Sequence, residues 1–265
     1  MQHKARKRFG QNFLHDDGVI QNIVNVIYPR VGDNIVEIGP GLGALTSQLL
    51  PLAGRIQVVE LDRDVIPHLE QACAGLGELL ITQADALKFD FSTLFEAEKK
   101  LRIVGNLPYN ISTPLLFHLM NYADNIADMH FMLQKEVVER MAAVPGNKHY
   151  GRLSIMLQYF CKVEKLFDVP PEAFDPTPKV DSAIVRLTPY ETLPLQVDDL
   201  ATYAMVVTKS FAHRRKTLRN NLKEILSGEQ IEALGINPAA RAETLTQLEF
   251  AQLSNALSNQ DIKKP

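Results

Sequence analysis

The sequence predicts an α/β fold in which a doubly wound, mostly parallel sheet with an antiparallel last strand precedes a small all-helical C-terminal domain. Short β-branched runs alternate with segments of helical periodicity as far as residue 187. A glycine-rich turn follows the first of these runs, and no strand pattern appears beyond Pro189 and Pro194. We therefore expect two domains, residues 1–188 and 189–265, and the hydrophobic content of 46% is ample for both cores.

Five short apolar runs predict the parallel strands of the sheet. They span residues 34–38, 55–59, 78–82, 101–105 and 129–133. Segments of helical periodicity separate them, and Asp16 and Asp17 are placed to cap the first helix, whose apolar residues share one face. The first predicted helix contains Val19 to Ile27 and ends before Pro29, the next ones span residues 44–52, 62–74 and 113–122, and another begins near residue 135.

The remaining predicted elements are a helix, a strand pair and the C-terminal helices. Residues 150–160 have helical periodicity, whereas residues 163–169 and 180–187 are typical of an antiparallel pair of strands. Prolines stiffen the loop between these strands, which presents one aromatic ring, Phe174. Beyond the boundary, apolar residues recur at helical spacing, and these include Leu200, Tyr203, Val207 and Phe211.

The glycine-rich turn, residues 39–43, directly follows the first predicted strand and precedes a helix. Glycines let the backbone approach a ligand closely, and a helix start offers unpaired N–H groups. Glu60 ends the second strand, roughly 20 residues after Gly41, where a carboxylate can accept from both ribose hydroxyls. Asp85 follows the third strand and faces the same crevice or stabilises a turn. The pattern predicts a nucleotide site, and the nearby Asp62 fits a helix N-cap better than the ribose.

The segment Asn106-Leu107-Pro108-Tyr109 lies at the carboxyl end of the fourth predicted strand. The side-chain oxygen of Asn106 and the backbone carbonyl of Leu107, which Pro108 leaves free, can accept both hydrogens of an amine on an aromatic ring. Tyr109 can stack on that ring. These four residues predict a site that activates a ring amine for attack on an electrophile placed in line.

Basic residues are concentrated in two clusters, although the net charge of the chain is −3. Local clusters matter more than the total, because phosphate contacts act within a Debye length of roughly 8–10 Å. Two clusters in an acidic chain predict a polyanionic partner. The candidate contacts are Lys4, Arg6, Lys7 and Arg8 near the N-terminus, and Arg214, Arg215, Lys216 and Arg219 in the helical domain.

Composition disfavours several other classes of protein. No apolar run approaches the roughly 20 residues that span a bilayer, and no signal-type apolar segment follows the basic start. The two cysteines, Cys73 and Cys161, lack metal-ligand or disulfide spacing. We therefore expect a cytoplasmic protein without membrane association, a disulfide framework or a metal site.

Four motifs together resemble those of the ribosomal RNA adenine N6-dimethyltransferase family, in particular its small-subunit (16S) branch. They occur in the family's order along the chain and cover residues 11–182, and the basic helical tail also agrees. The motifs are Gln-Asn-Phe-Leu at 11–14, Glu-Ile-Gly-Pro-Gly-Leu-Gly at 37–43, Asn-Leu-Pro-Tyr at 106–109 and Phe-x-Pro-x-Pro-x-Val-x-Ser at 174–182. The resemblance implies a Rossmann-like class I methyltransferase fold and S-adenosylmethionine as the methyl donor, with S-adenosylhomocysteine as product.

The resemblance also implies roles for individual residues. Tyr109 and Phe174 would sandwich an extruded adenine, with Leu107 and Pro108 beside it. The implied substrate is a pair of adjacent adenosines in the loop of the 3′-terminal helix of 16S rRNA, dimethylated within the immature small subunit. We expect the enzyme to be a monomer. The implied cofactor-binding residues are Asn12, Leu14, Gly39, Gly41, Glu60, Asp85, Ala86 and Asn106.

Three alternatives remain open on the sequence. An NAD-dependent dehydrogenase would explain Gly39, Gly41 and Glu60, but neither the residues 106–109 nor the basic clusters. A DNA or protein N-methyltransferase is a nearer alternative, because a similar loop can serve adenine in DNA or a glutamine amide. The third is an assembly factor that only binds, which the complete set of predicted site residues disfavours.

Overall fold

The computed structural model describes residues 12–261, which fall into two compact units. The first contains the chain up to residue 138 together with residues 162–189, and the second contains residues 139–161 and the chain from residue 190. The predicted boundary at residue 188 did not anticipate that residues 139–161 group with the C-terminal helices. The cluster Lys4, Arg6, Lys7 and Arg8 lies outside the described residues.

The first unit is built on a seven-stranded sheet with the order β4-β3-β2-β5-β6-β9-β7. Strands β2 to β6 are parallel, and β9 runs antiparallel to β6 with Gln134 paired to Ser182. The predicted mostly parallel sheet with an antiparallel last strand is therefore confirmed. The strands are β2 (Asn34–Ile38), β3 (Arg55–Glu60), β4 (Glu78–Gln83), β5 (Leu101–Asn106), β6 (Ile126–Gln134), β7 (Cys161–Val169) and β9 (Ser182–Pro189).

Helices precede, separate and follow the parallel strands, as the periodicity predicts, except that a 3₁₀ turn lies between β4 and β5. Asp16 caps the first of them by accepting a hydrogen bond from the Val19 N–H at 2.9 Å. Asp62 is not a helix N-cap, because that helix begins four residues later at Ile66 and the Asp62 carboxylate accepts from the Asp64 N–H within a turn. The helices are α1 (Asp17–Ile27), α2 (Thr46–Ala53), α3 (Ile66–Cys73), α4 (Ser112–Met120) and α5 (Lys135–Met141), with short 3₁₀ turns at Phe91–Leu94, Ala123–Asn125 and Pro171–Ala173.

The core of the first unit lies on the sheet. Every residue of β2 is buried, as expected for a strand in the middle of a parallel sheet that is covered on both faces. The apolar face of α1 is buried as well, and each such aliphatic side chain contributes about 1.5–3 kcal/mol. Its members are Ile20, Ile23, Val24 and Ile27.

A small second sheet, which the sequence did not predict, joins two distant segments. Strand β1 (Phe13–Leu14) pairs antiparallel with β8 (Phe174–Asp175), and Leu14 lies opposite Phe174. The His15 N–H extends the pairing by donating to the Ala173 carbonyl at 3.0 Å. The pairing places the segment around Asn12 beside the proline-rich loop.

The second unit is helical, apart from Cys161 at the start of β7. Helix α6 belongs to it because its buried residues contact the C-terminal helices, with the rings of Tyr159 and Tyr203 centred 5.3 Å apart. None of the helices described between residues 12 and 261 is long and apolar enough to cross a membrane. The helices are α6 (Arg152–Phe160), α7 (Leu200–Ser210), α8 (Leu218–Leu222), α9 (Gly228–Ala233) and α10 (Gln247–Asp261), with a 3₁₀ turn at Ala242–Thr244.

Strand β5 lies so close to β2 at Gly105 that no side chain fits there. A Cβ atom at this position would lie 2.6 Å from the Ile38 carbonyl oxygen and 3.2 Å from the Leu107 side chain. Gly105→Ala should therefore lower the free energy of unfolding by about 1–3 kcal/mol, measured by denaturant titration. The matched control is Gly151→Ala, because a Cβ there meets nothing within 4 Å on an extended backbone. Equal unfolding midpoints for the two variants would contradict the steric account.

Candidate functional site

A cleft of about 1190 Å³ opens at the carboxyl ends of the parallel strands in the first unit. Open α/β sheets bind ligands at this edge, because the loops that follow neighbouring strands converge there. The structure brings all the predicted cofactor and ring-binding residues into the wall of this cleft. They are Asn12, Leu14, Gly39, Gly41, Glu60, Asp85, Ala86, Asn106, Leu107, Pro108, Tyr109 and Phe174.

The glycine-rich turn exposes bare backbone to the cleft. Gly39 and Gly41 adopt φ angles of 67° and 56°, in the left-handed region that side chains disfavour. A Cβ atom on Gly39 would meet no atom within 4 Å, whereas one on Gly41 would lie 3.3 Å from the ring of Phe13. The turn is therefore a cradle with room for a ligand on one side and the β1 segment on the other.

Glu60 is fixed beside the turn by two backbone donors. Its Oε2 accepts from the Gly41 N–H at 3.2 Å, and its Oε1 accepts from the Asp62 N–H at 2.8 Å. Burial raises the pKa of Glu60, while these hydrogen bonds act in the opposite direction. Each carboxylate oxygen has a second lone pair, so Glu60 can still accept hydrogen bonds from ligand hydroxyls.

Asp85 combines the two roles that the sequence left open. Its Oδ1 accepts from the Leu87 N–H at 3.0 Å, which makes it a turn residue, and the side chain also lines the cleft. Among the described residues, no hydrogen bond is made by its other oxygen. That oxygen can accept from a ligand amine, with the buried Ala86 next to it.

The predicted amine-binding pair has the required free acceptors. Asn106 ends β5, and its Nδ2 donates to the Asn12 carbonyl at 3.2 Å, which directs the side-chain oxygen away from that bond. The Leu107 N–H donates to the Met132 carbonyl at 3.2 Å. Within residues 12–261, no hydrogen bond is accepted by the Leu107 carbonyl. Two acceptor oxygens are thus available at the end of one strand.

The two aromatic residues differ in their exposure. Tyr109 is partly exposed, and its hydroxyl lies 3.1 Å from the Oγ of Ser182, the last residue of the proline-loop motif. Phe174 touches the cleft, but it is only 2% exposed because it packs in the apolar core cluster with Leu14 and Val169. Stacking of a base on Phe174 therefore stays a prediction.

Glu37 is a site residue that the sequence reasoning missed. It is the only acid inside the apolar run of β2, a position that could have signalled a role, and it lines the cleft although it is 2% exposed. Thr46 donates to its Oε2 at 2.6 Å. The pKa of Glu37 is raised to about 7 as the net result of three causes: burial raises it most, the Thr46 hydrogen bond lowers it, and the nearby charge of Glu60 raises it.

The basic cluster of the second unit is exposed at the surface. Arg214 is engaged, because it donates to the Lys148 carbonyl at 2.8 Å and lies 3.4 Å from a Glu243 oxygen. In the described part of the chain, Arg215, Lys216 and Arg219 form no ion pair. These three cations are available for an anionic partner.

Comparison with known proteins gives one consistent result. A family model described as ribosomal RNA adenine dimethylase matches residues 2–259. The chain is 59% identical over 255 residues to ribosomal RNA small subunit methyltransferase A of Saccharophagus degradans, covering 96% of this chain and 95% of the relative. It is 57% identical over 264 residues to the protein of the same name from Pseudomonas fluorescens, covering 100% and 97%.

A solved structure shows the same fold. The crystal structure of a dimethyladenosine transferase from Plasmodium falciparum matches with a TM-score of 0.75 and 28% identity. The match covers 91% of this chain and 95% of that chain. The predicted Rossmann-like methyltransferase fold is therefore confirmed.

The burial of Glu37 predicts that the free energy of unfolding depends on pH. Its pKa rises from the ordinary value of 4.5 to about 7, which corresponds to about 3 kcal/mol at 1.36 kcal/mol per pKa unit. Because the folded pKa lies above the unfolded one, this stabilising contribution is fully present below pH 4.5 and is lost as the pH rises through about 7. Between about pH 4.5 and pH 8, wild type should lose about 3 kcal/mol more unfolding free energy than Glu37→Gln.

Denaturant titrations across this pH range measure the difference. Glu70→Gln, at an exposed position of α3, is the matched control and should follow wild type. Parallel pH profiles for wild type and Glu37→Gln would contradict the assignment of a buried, protonated carboxyl group.

Proposed function

Because the chain belongs to the ribosomal RNA adenine dimethylase family, we propose that it dimethylates N6 of two adjacent adenosines in the 3′-terminal helix loop of 16S rRNA, with S-adenosylmethionine as the methyl donor. One observation carries the proposal. The two free acceptor oxygens of Asn106 and Leu107 lie in the same cleft wall as the glycine cradle, Glu60 and Asp85. Such a cleft binds a nucleoside-containing donor beside an aromatic amine.

The residues of the cleft fit S-adenosylmethionine. The space beside Gly39, which a Cβ would enter, leaves room for a ligand against the backbone. Glu60 can accept from ribose hydroxyls and Asp85 from an adenine amine, and Asn12 and Leu14 line the same cleft. The cofactor, when bound, supplies a methyl group activated by a positively charged sulfur.

The chain activates the target nitrogen by hydrogen bonding. The lone pair of an exocyclic amine on adenine is delocalised into the ring, so the nitrogen is a poor nucleophile. Acceptance of both N–H groups by Asn106 and Leu107 favours a pyramidal nitrogen with a localised lone pair. Positive charge that develops on the nitrogen then meets oxygens already in place, which lowers the barrier without a strong general base.

The positions of these oxygens depend on neighbouring residues. Asn106 is held by its bond to the Asn12 carbonyl, and Leu107 by its N–H bond to Met132. Tyr109 offers a ring beside them on which an adenine can stack. Correct positioning of a nucleophile supplies much of the rate of a transfer reaction.

The proposed substrate is 16S rRNA within the immature small subunit. The exposed Arg215, Lys216 and Arg219 would contact phosphate, as would the basic N-terminal cluster, while recognition of the folded RNA would depend on its shape. We propose that the enzyme acts as a monomer. Its place of action would be the cytoplasm, where its substrate is assembled.

Asn106→Ala tests the proposed chemistry. The variant should keep its affinity for S-adenosylmethionine within about tenfold, roughly 1.4 kcal/mol, while methyl transfer falls by about 10²-fold or more through loss of a transition-state hydrogen bond. Calorimetry measures the affinity, and transfer of tritiated methyl groups to undermethylated small-subunit particles measures the turnover. Asn125→Ala, an exposed asparagine in a 3₁₀ turn, is the control and should keep normal turnover.

The same assay separates the alternatives. Methyl transfer by wild type to duplex DNA or to a protein amide, but not to the particles, would overturn the proposed substrate. Binding of NAD instead of S-adenosylmethionine would favour a dehydrogenase. Binding of particles without transfer would indicate an assembly factor, and normal turnover in Asn106→Ala would refute the role of that residue.

The basic cluster is tested through the salt dependence of binding. Removal of two phosphate contacts by Arg215→Gln with Lys216→Gln should weaken binding to undermethylated particles and reduce the slope of log K against log salt by about 1.5. The control double variant is Lys209→Gln with Glu224→Gln, which removes an ion pair of 3.0 Å and leaves the net charge unchanged. An unchanged slope in the first variant would exclude this surface from the interface.

A further inference from the structure

Two buried serines hold Tyr109 at both ends. The Tyr109 hydroxyl lies 3.1 Å from the Oγ of Ser182, and the Tyr109 carbonyl accepts a hydrogen bond from the Oγ of Ser112 at 3.1 Å. Ser112 is 2% exposed and Ser182 is 1% exposed, whereas Tyr109 is partly exposed and lines the cleft. Both the hydroxyl and the backbone carbonyl of this cleft residue are therefore hydrogen-bonded to buried side chains.

We propose that Ser182, assisted by Ser112, is a positioning residue that fixes the Tyr109 ring as a preformed platform for the target adenine. The proposal rests on the proposed function and deepens it, because it assigns capture of the base, as distinct from binding of the cofactor, to one hydrogen bond. It also gives a role to the last residue of the proline-loop motif.

The two serines are themselves held in place by secondary structure. Ser182 is the first residue of β9 and pairs with Gln134 of β6. The bond from the Lys135 N–H to the Asp181 carbonyl, at 3.0 Å, continues this ladder by one step. Ser112 is the first residue of α4. The Tyr109 hydroxyl is thus held by the start of a strand and its backbone by the start of a helix, and such elements position a site more precisely than loops do.

Tyr109 is the one hydrogen-bond partner of the Ser182 hydroxyl among the described residues. In the described part of the chain, the Ser182 Oγ makes no other hydrogen bond, although the residue is almost fully buried. A buried hydroxyl that uses its one bond to orient a residue of the cleft is costly to leave unpaired. The buried Ser210 differs, because its hydroxyl donates to a backbone carbonyl of its own helix, that of Val206, at 2.8 Å.

A Tyr109 ring that is ordered before the RNA binds should affect the binding of the target base and not the transfer of the methyl group. An extruded base loses affinity if the ring on which it stacks must first be ordered, because side-chain freedom is then lost on binding. Loss of the bond between Tyr109 and Ser182 should therefore raise the KM for the RNA substrate. It should leave the turnover number and the affinity for the cofactor nearly unchanged, because the acceptor oxygens of Asn106 and Leu107 stay in place.

A double-mutant cycle tests the proposal, with Ser182→Ala, Tyr109→Phe and the two combined. Each single variant should raise the KM for undermethylated small-subunit particles by about three- to tenfold, as expected for one neutral hydrogen bond. The double variant should be no worse than either single one, because both remove the same bond. Tyr109→Phe keeps the ring and so tests the bond even if Ser182→Ala does not fold.

Thermal unfolding and calorimetric titration with S-adenosylmethionine accompany the kinetics. Ser210→Ala, another buried serine that loses one hydrogen bond, should lower the unfolding temperature without raising the KM for particles. Additive effects on KM, an unchanged KM, or a loss confined to unfolding temperature or cofactor affinity would each overturn the positioning role. If wild type itself does not methylate the particles, the proposed function fails; if it does and the variants keep its KM, only this inference fails.

Discussion

The close approach of two parallel strand ends determines where the functional groups of this protein lie. Glu37 of β2 is in register with Val104 of β5, so that Gly105 comes beside Ile38 and Asn106 lies just beyond it. Only glycine leaves the space for this approach. Because both strands run in the same direction, the glycine cradle and the amine-binding oxygens emerge at one edge of the sheet, and no long loop is needed to bring them together.

The charges of the protein differ between the cleft proposed for the methyl donor and the surface proposed for the RNA. The acids that line the cleft are Glu37, Glu60, Asp62, Asp85 and Asp175, and among the described residues no lysine or arginine lines it. Carboxylates favour a cationic ligand such as a sulfonium compound, and burial raises the pKa of Glu37 and the pKa of Glu60. The unpaired cations, by contrast, are exposed on the helical unit, where they suit a polyanion.

The pairing of β1 with β8 joins two parts of the site that the chain separates by about 160 residues. Leu14, in the segment implied to cover the cofactor, lies opposite Phe174, the residue implied to stack on the base. Asn12 at the start of this segment accepts the bond that orients Asn106. Hydrogen bonds between β1 and β8 thus connect the walls of the two regions, and Phe174 is buried in the same core cluster as Leu14.

The sequence by itself determined the parallel strands, the glycine turn and the acids and amide that follow the strand ends, because hydrophobic periodicity and turn chemistry are local. Only the tertiary structure decided the pairing of β1 with β8, the grouping of residues 139–161 with the C-terminal helices, and the start of α3 at Ile66 instead of Asp62. It also decided the raised pKa of Glu37 and the attachment of Tyr109 to Ser182. These features depend on contacts between distant segments and on burial, which no local pattern encodes.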